Sequence, residues 1–339
     1  MTEHLILLAV SFILILAGSE LFTNGVEWAG KRFNIAEATV GSLLAAVGTA
    51  LPETFIPIVA LLMPGVGAHE RGAVGIGAII GAPLMLSTLA LLVMATAAIA
   101  FRRRRGRIAL HVRHQDARRD LGFFLAAFLI AIIAGLANLT PIMRHILAGL
   151  LLLLYVIYAI VMLRITRQGG DEIENGLYLE SIIRGPAHQP RVAIILAQVA
   201  LGVGLIIIGA QVFVDEIVLF AQYAGFSPGV LSLILSPLAT ELPEKYNSVV
   251  WIRQRKDHLA LANITGAMVF QSCIPVALGI AFTPWHLSPA ELAGAAVALG
   301  SAAVLYFSVR DDELGTPSLM LGGAAYAIFL ILLIAGHLR

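Results

Sequence analysis

The chain reads as long apolar runs separated by short polar breaks. Ten runs reach the length of a membrane span: residues 4–28, 36–63, 72–101, 120–139, 142–163, 192–223, 228–252, 258–283, 289–309 and 318–338. About 20 mostly apolar residues cross a bilayer as a helix. The pattern therefore predicts an all-α membrane protein of ten transmembrane helices, several long enough to tilt or bend. The first run, from Leu5, has no Lys or Arg before it, the first being Lys31. It also outlasts a signal peptide, so it is expected to be a retained span.

Composition agrees with the pattern. The chain is 59% apolar and 13% charged over 339 residues, with a mean hydropathy of +0.91. A soluble domain runs at roughly 45–50% apolar and about 25% charged. The single cysteine, Cys273, excludes disulfide frameworks and cysteine metal clusters. The net charge of +1 points to no acidic partner. The positions of the basic residues are more informative. With the N-terminus outside, the inner loops hold 18 Lys or Arg and the outer side only Arg71, Arg144 and Arg339, leaving Lys245 inside a span. Basic loops stay cytoplasmic, so both termini are expected to face out of a plasma (inner) membrane. The run Arg102–Arg119 is read as a topogenic anchor beside the bilayer and not as a nucleic-acid site.

The longest polar stretch, 164–191, divides the chain into 1–163 and 192–339, each with five spans. A shift of 191 residues aligns the two parts. Gly18-Ser19-Glu20-Leu21-Phe22 faces Gly209-Ala210-Gln211-Val212-Phe213, and Thr49-Ala50-Leu51-Pro52-Glu53 faces Thr240-Glu241-Leu242-Pro243-Glu244. Gly81-Ala82 faces Gly266-Ala267 after a six-residue adjustment. An odd number of spans per copy turns the second copy upside down. Inverted repeats with interrupted helices near the midplane are a secondary-transporter plan.

Each copy carries Leu-Pro-Glu in the middle of a span. Proline has no N–H for the carbonyl four residues back, which leaves the carbonyls of Gly48 and Ala239 without helical partners. In lipid such groups persist only against protein or a polar cavity. A carboxylate at this depth costs at least about 2.5–3.5 kcal/mol, and Glu53 and Glu244 follow the two prolines. Carbonyls and carboxylates together offer the oxygen ligands that hard cations take. Glu241, three residues before Glu244, is a third acid that could bind a cation, carry a proton or stay neutral. Lys245 could pair with either acid or snorkel to an interface. Asn247 is a further oxygen donor. Glu20, Glu27, Asp215 and Glu216 are read as span-end or helix–helix hydrogen-bonding groups.

At these residues the sequence resembles the sodium/calcium exchanger family of cation/calcium antiporters. The family carries Gly-Thr-Ser-x-Pro-Glu in its second and seventh spans; here the copies read Gly48-Thr49-Ala50-Leu51-Pro52-Glu53 and Ala239-Thr240-Glu241-Leu242-Pro243-Glu244. The resemblance covers nearly the whole chain. It implies that Glu53 and Glu244 bind the transported Ca²⁺ and a counter-ion, that Thr49 and Thr240 add oxygens, and that two gating helices slide against a fixed core to expose the site alternately. It implies antiport without ATP or a bound cofactor, with transported cations and the bilayer as partners. The sequence departs from the family at Ala50 and Glu241, where serine is usual. It departs again at Ala82 and Ala267, and at Leu86 and Gln271, where the family has Asn or Asp. Gln271 keeps an oxygen; Leu86 does not. Fewer oxygens imply fewer or weaker ion sites, and both Na⁺ and H⁺ stay open as the counter-ion. The spans contain no His-Glu-x-x-His and no Gly-x-Ser-x-Gly, so no enzyme is expected; a non-transporting cation sensor is the alternative of another class. Nothing in the sequence fixes an oligomeric state.

Overall fold

The computed structural model describes residues 2–32, 51–65, 67–165, 176–184 and 190–336. The chain is almost wholly helical. In order come α1 (Thr2–Arg32), α2 (Leu51–Leu62), α3 (Ala68–Met85), a π-helical turn (Leu86–Ala90), α4 (Leu91–Ala100), a single turn α5 (Arg102–Arg105) and β1 (Leu110–His111). Then follow α6 (His114–Leu136), α7 (Pro141–Ile165), α8 (Tyr178–Arg184), α9 (Val192–Ala224), α10 (Pro228–Thr240), α11 (Leu242–Arg253), α12 (Asp257–Phe282), α13 (Pro289–Ser308), β2 (Glu313–Leu314) and α14 (Thr316–Ile334). Eight helical stretches among the described residues are long and apolar enough to cross a membrane. The expected second and seventh spans are different. Residues 36–50, with Gly48, Thr49 and Ala50, lie outside the described residues, and the seventh span is two helices, α10 and α11. Much of the 164–191 loop also lies outside them, but its described part contains α8, a helix the polar composition did not predict.

Local chemistry sets the helix ends. Gly225, at φ 72°, terminates α9 in the left-handed region that favours glycine. Ser227 accepts from the Val230 N–H at 3.3 Å, and Pro228 follows at the first helical position. At α13 the Ser288 N–H donates to Glu291 Oε2 at 2.7 Å while Ser288 Oγ accepts from the Glu291 N–H, a reciprocal capping box. On the basic side of the molecule β1 pairs antiparallel with β2. Beside this pair His114 donates its backbone N–H to Asp312 Oδ1 at 2.8 Å, which holds that carboxyl below its ordinary range. Asp257, at the start of α12, accepts from Arg105 (2.5 Å), Arg107 (3.1 Å) and the His111 N–H (2.9 Å). One member of the arginine run is thus buried as a strut.

The helices sort into a centre, a rim and one long pair. The stretch His69–Ala100 and α12 are central and mostly buried, whereas α7 is peripheral and mostly exposed. The exposed large apolar residues of α1, α6, α7 and α14, such as Ile13, Ile133, Ile146 and Ile331, face outward, as a lipid solvent allows. The long pair is α1 with α9, of 31 and 33 residues. At 1.5 Å per residue each is about 46–50 Å long, so each must tilt. The backbones of the pair meet at small residues. A Cβ on Gly18 would stand 2.8 Å from the Gly202 carbonyl oxygen and 2.9 Å from Ile206; one on Gly209 would stand 3.0 Å from the Ser11 carbonyl oxygen and 2.8 Å from Ile15. This pair rests on α2 and α3 through a separate apolar cluster, which includes Ile15, Ile56, Val59, Val74, Phe213 and Ile217. The main core, around α3, α4, α6, α12 and α13, is another cluster.

Candidate functional site

The helix breaks where the sequence places an acid. Glu241, between α10 and α11, has φ −91° and ψ 10°, the bridge region between helix and strand. Pro243 supplies no N–H to the Ala239 carbonyl, so the ladder is interrupted there. The Glu241 N–H still bonds the Pro237 carbonyl at 3.1 Å, and the Lys245 N–H bonds the Glu241 carbonyl at 3.2 Å. Glu244 then falls in the first turn of α11, where unpaired N–H groups and the helix dipole favour an anion.

Glu53, in the first turn of α2, is brought to this break. Glu53, Glu241 and Glu244 are 4%, 0% and 1% exposed, and Thr240 is 1%. Glu53 lies within electrostatic reach of Glu244 and Glu241, and Glu241 within reach of Glu244. The Thr240 hydroxyl lies beside the Glu53 carboxyl and within 3.2 Å of the Ser236 carbonyl, to which it can also donate. Oε1 of Glu241 has no donor among the described residues. Lys245 does not reach an interface. It is 7% exposed, and its Nζ lies 3.0 Å from Glu241 Oε2 and 3.2 Å from Met85 Sδ. Tyr326 of α14 also interacts with Glu241.

Other expected ligands are placed unevenly. Gln271 is buried on α12, and its Oε1 has no partner among the described residues. Asn247 is half-buried on α11. Gly48 and Thr49 fall outside the described residues. Among the described residues no three His, Cys, Asp or Glu side chains converge as a metal-ligand cluster; Glu241 is turned instead to Lys245. Glu216 and Asp215 make helix contacts as expected, Glu216 with His4 at 2.7 Å and Asp215 with Arg71. Arg71, expected in an outer loop, is 1% exposed.

Sequence reasoning passed over two features. Pro83 inside α3 withholds an N–H from the Ile79 carbonyl, and the π turn at Leu86–Ala90 follows within the same stretch. There Ser87 donates to the Pro83 carbonyl at 2.7 Å and Thr88 to that of Leu84 at 2.5 Å. The proline was legible in the sequence; the π turn has no sequence mark of its own.

Two segments of the chain, residues 3–164 and 194–335, match the family model described as sodium/calcium exchanger protein. The chain belongs to the sodium/calcium exchanger family. Exchangers of this family are membrane transporters, which accords with the apolar helices and the polar break within them. The inner membrane protein YrbG of Escherichia coli (strain K12) is 24% identical over 286 residues, covering 84% of this exchanger chain and 81% of YrbG. Among solved structures, the H⁺/Ca²⁺ exchanger CAX superposes with a TM-score of 0.73 at 17% identity, over 98% of this chain and 82% of that one. The sodium-calcium exchanger NCX_Mj superposes with a TM-score of 0.60 at 23% identity, over 97% of both chains. At these identities the likeness is one of fold.

Proposed function

We propose that this exchanger chain is a secondary active antiporter that moves a divalent cation, Ca²⁺ in the first instance, against Na⁺ or H⁺. The observation that carries this reading is the burial of Glu53 and Glu244, within electrostatic reach of one another, beside a break in a membrane helix. Burying two carboxylates in a membrane interior is unfavourable unless a countercharge is near, and in this reading an exchanged cation provides it. In this reading Glu53 and Glu244 are the principal ligands. Oxygens of Thr49, Thr240 and Gln271 and the carbonyls of Gly48 and Ala239 complete the set, with Asn247 at its margin. The relatives CAX and NCX_Mj are described as H⁺/Ca²⁺ and sodium-calcium exchangers, which supports both counter-ions equally.

The same reading takes the chain as ten helices in two inverted five-helix repeats, 1–163 and 192–339, joined by 164–191. The contacts of α1 with α9 support it. Gly18 abuts Gly202 and Ile206, while Gly209 abuts Ser11 and Ile15. Shifting 11, 15 and 18 by 191 gives 202, 206 and 209, so each contact has its reciprocal, as a two-fold axis requires. The α1/α9 pair, seated on its own apolar cluster, suits the role of the sliding element in alternating access. The basic loops face the cytoplasm and both termini face out.

The test is ion flux in proteoliposomes under imposed Na⁺ or pH gradients, with Ca²⁺, Mg²⁺, Mn²⁺ and K⁺ offered in turn. Glu53→Gln and Glu244→Gln are expected to abolish gradient-driven divalent flux while the purified protein stays folded. Equal flux in wild type and both variants, or no gradient-driven movement of any cation, would remove the reading.

A further inference from the structure

The site holds a cation of its own. Glu241 and Lys245 occupy the positions that Ala50 and Thr54 hold in the first copy under the 191-residue shift. Two opposite charges thus stand in one half where the other has none, at the i,i+4 spacing that puts them on one helix face. The structure joins them at 3.0 Å, with Glu241 fully buried and the lysine stem running inward to Met85. An ammonium at this depth is retained only against an anion, and Glu241 Oε2 is the anion it meets. The charged and titratable groups around the pair are Glu244 on the same helix, Glu53 from α2 and Tyr326 from α14; α3 contributes Met85 and α4 is wholly uncharged.

We propose that Lys245 is a tethered cation that permanently neutralises Glu241, leaving Glu53 and Glu244 to exchange one divalent cation for two monovalent positive charges. The count follows from the side chains. Three carboxylates and one ammonium leave two negative charges, which one divalent or two monovalent cations balance. A third coupling ion finds its acid already occupied. The cycle then carries the same charge in both directions and is electroneutral. This inference rests on the antiporter reading above and specifies its stoichiometry.

The experiment clamps the membrane potential of proteoliposomes with K⁺ and valinomycin and measures Ca²⁺ accumulation driven by a Na⁺ or a pH gradient. Wild type is expected to reach the same accumulation at zero and at inside-negative potential. Lys245→Met, with Glu241 retained, should take up a third monovalent cation and become potential-dependent by one charge per cycle. Glu241→Ser with Lys245→Met should return to potential-independence. A wild-type accumulation that shifts with potential, or a Lys245→Met exchanger that does not, overturns the proposal. A second measurement needs no flux: displacement of radioactive Ca²⁺ from purified protein by the monovalent ion. Its Hill slope should rise from near two in wild type to near three in Lys245→Met and fall back in the double variant. An unchanged slope overturns the tethered-cation role even if transport is absent, whereas absent flux with a changed slope removes only the antiporter reading.

Discussion

Glu241 has two unlike oxygens. Oε2 meets Lys245, and Oε1 meets no donor among the described residues. Removing the acid alone strands a buried ammonium, and breaking a buried ion pair from one side costs about 3–5 kcal/mol. Glu241→Ala should therefore lower the thermal midpoint in detergent sharply. Glu241→Ala with Lys245→Met removes both charges and should recover much of the loss, because replacing a buried pair by apolar groups is often neutral. A double variant no more stable than the single would show that Lys245 does not depend on this acid. Glu53 differs, since it is buried with no cationic side chain paired to it among the described residues and the Thr240 hydroxyl beside it is shared with the Ser236 carbonyl. That is the environment of a group that receives a ligand, and it explains why Glu53→Gln is expected to spare the fold while ending transport.

Among the elements, the α1/α9 pair depends most on what its side chains lack. At Gly18 the Gly202 carbonyl stands 2.8 Å from where a Cβ would be, so Gly18→Leu must drive the helices apart. Overpacking of this kind costs about 1–3 kcal/mol and should lower both thermal stability and exchange rate. Gly204, on the same helix as Gly202, has nothing within 4 Å of a Cβ. Gly204→Ala should be neutral or stabilising by up to about 1 kcal/mol, since glycine is the poorer helix former. Equal effects of the two substitutions on thermal stability would argue against close backbone contact. The other decisive element is the α10/α11 junction, where a proline at the second position of α11 and the bridge conformation of Glu241 point a helix start at the site.

For the whole molecule, the long pair is fastened at both ends by polar groups at positions related by the 191-residue shift. Gln211 and Asp215 bond Arg71, which also donates to the Val59 carbonyl at 3.0 Å, tying α9 to α2 and α3. Under the 191-residue shift their counterparts are Glu20 and Asn24. Glu20 accepts from the Tyr178 hydroxyl at 2.7 Å, and Asn24 bonds Gln198 at 2.9 Å and the Tyr178 N–H at 3.2 Å. One end of α9 is thus locked to the core by a buried guanidinium, the other end of the pair to α8. A pair that slides must release the first lock. Arg71→Met should cost about 1–3 kcal/mol, the penalty for polar groups left without partners, and should raise amide hydrogen exchange in α9 around Gln211–Asp215. Unchanged exchange there would mean that Arg71 does not hold the pair to the core.

The sequence by itself determined the solvent, the helical class and the two acids. Apolar runs of span length admit no other backbone in lipid, and a proline followed by a glutamate within such a run interrupts the ladder wherever the helix packs. It also carried the 191-residue shift, which brings the small residues and helix breakers of the two halves into register. Three things were decided only by the tertiary structure. The partner of Lys245 was one, since two acids lay within reach along the chain and only the bend at Glu241 selects between them. The burial of Arg71 was another, because a basic residue at a loop edge reads as solvated until α9 brings Asp215 to it. The third was the π turn after Pro83, which depends on how Ser87 and Thr88 bond to carbonyls above them and on Gly322 of α14 approaching the Ser87 carbonyl at 3.0 Å from a would-be Cβ. Local pattern fixes which backbone is possible; the choice among polar partners is made by the helices that pack around them.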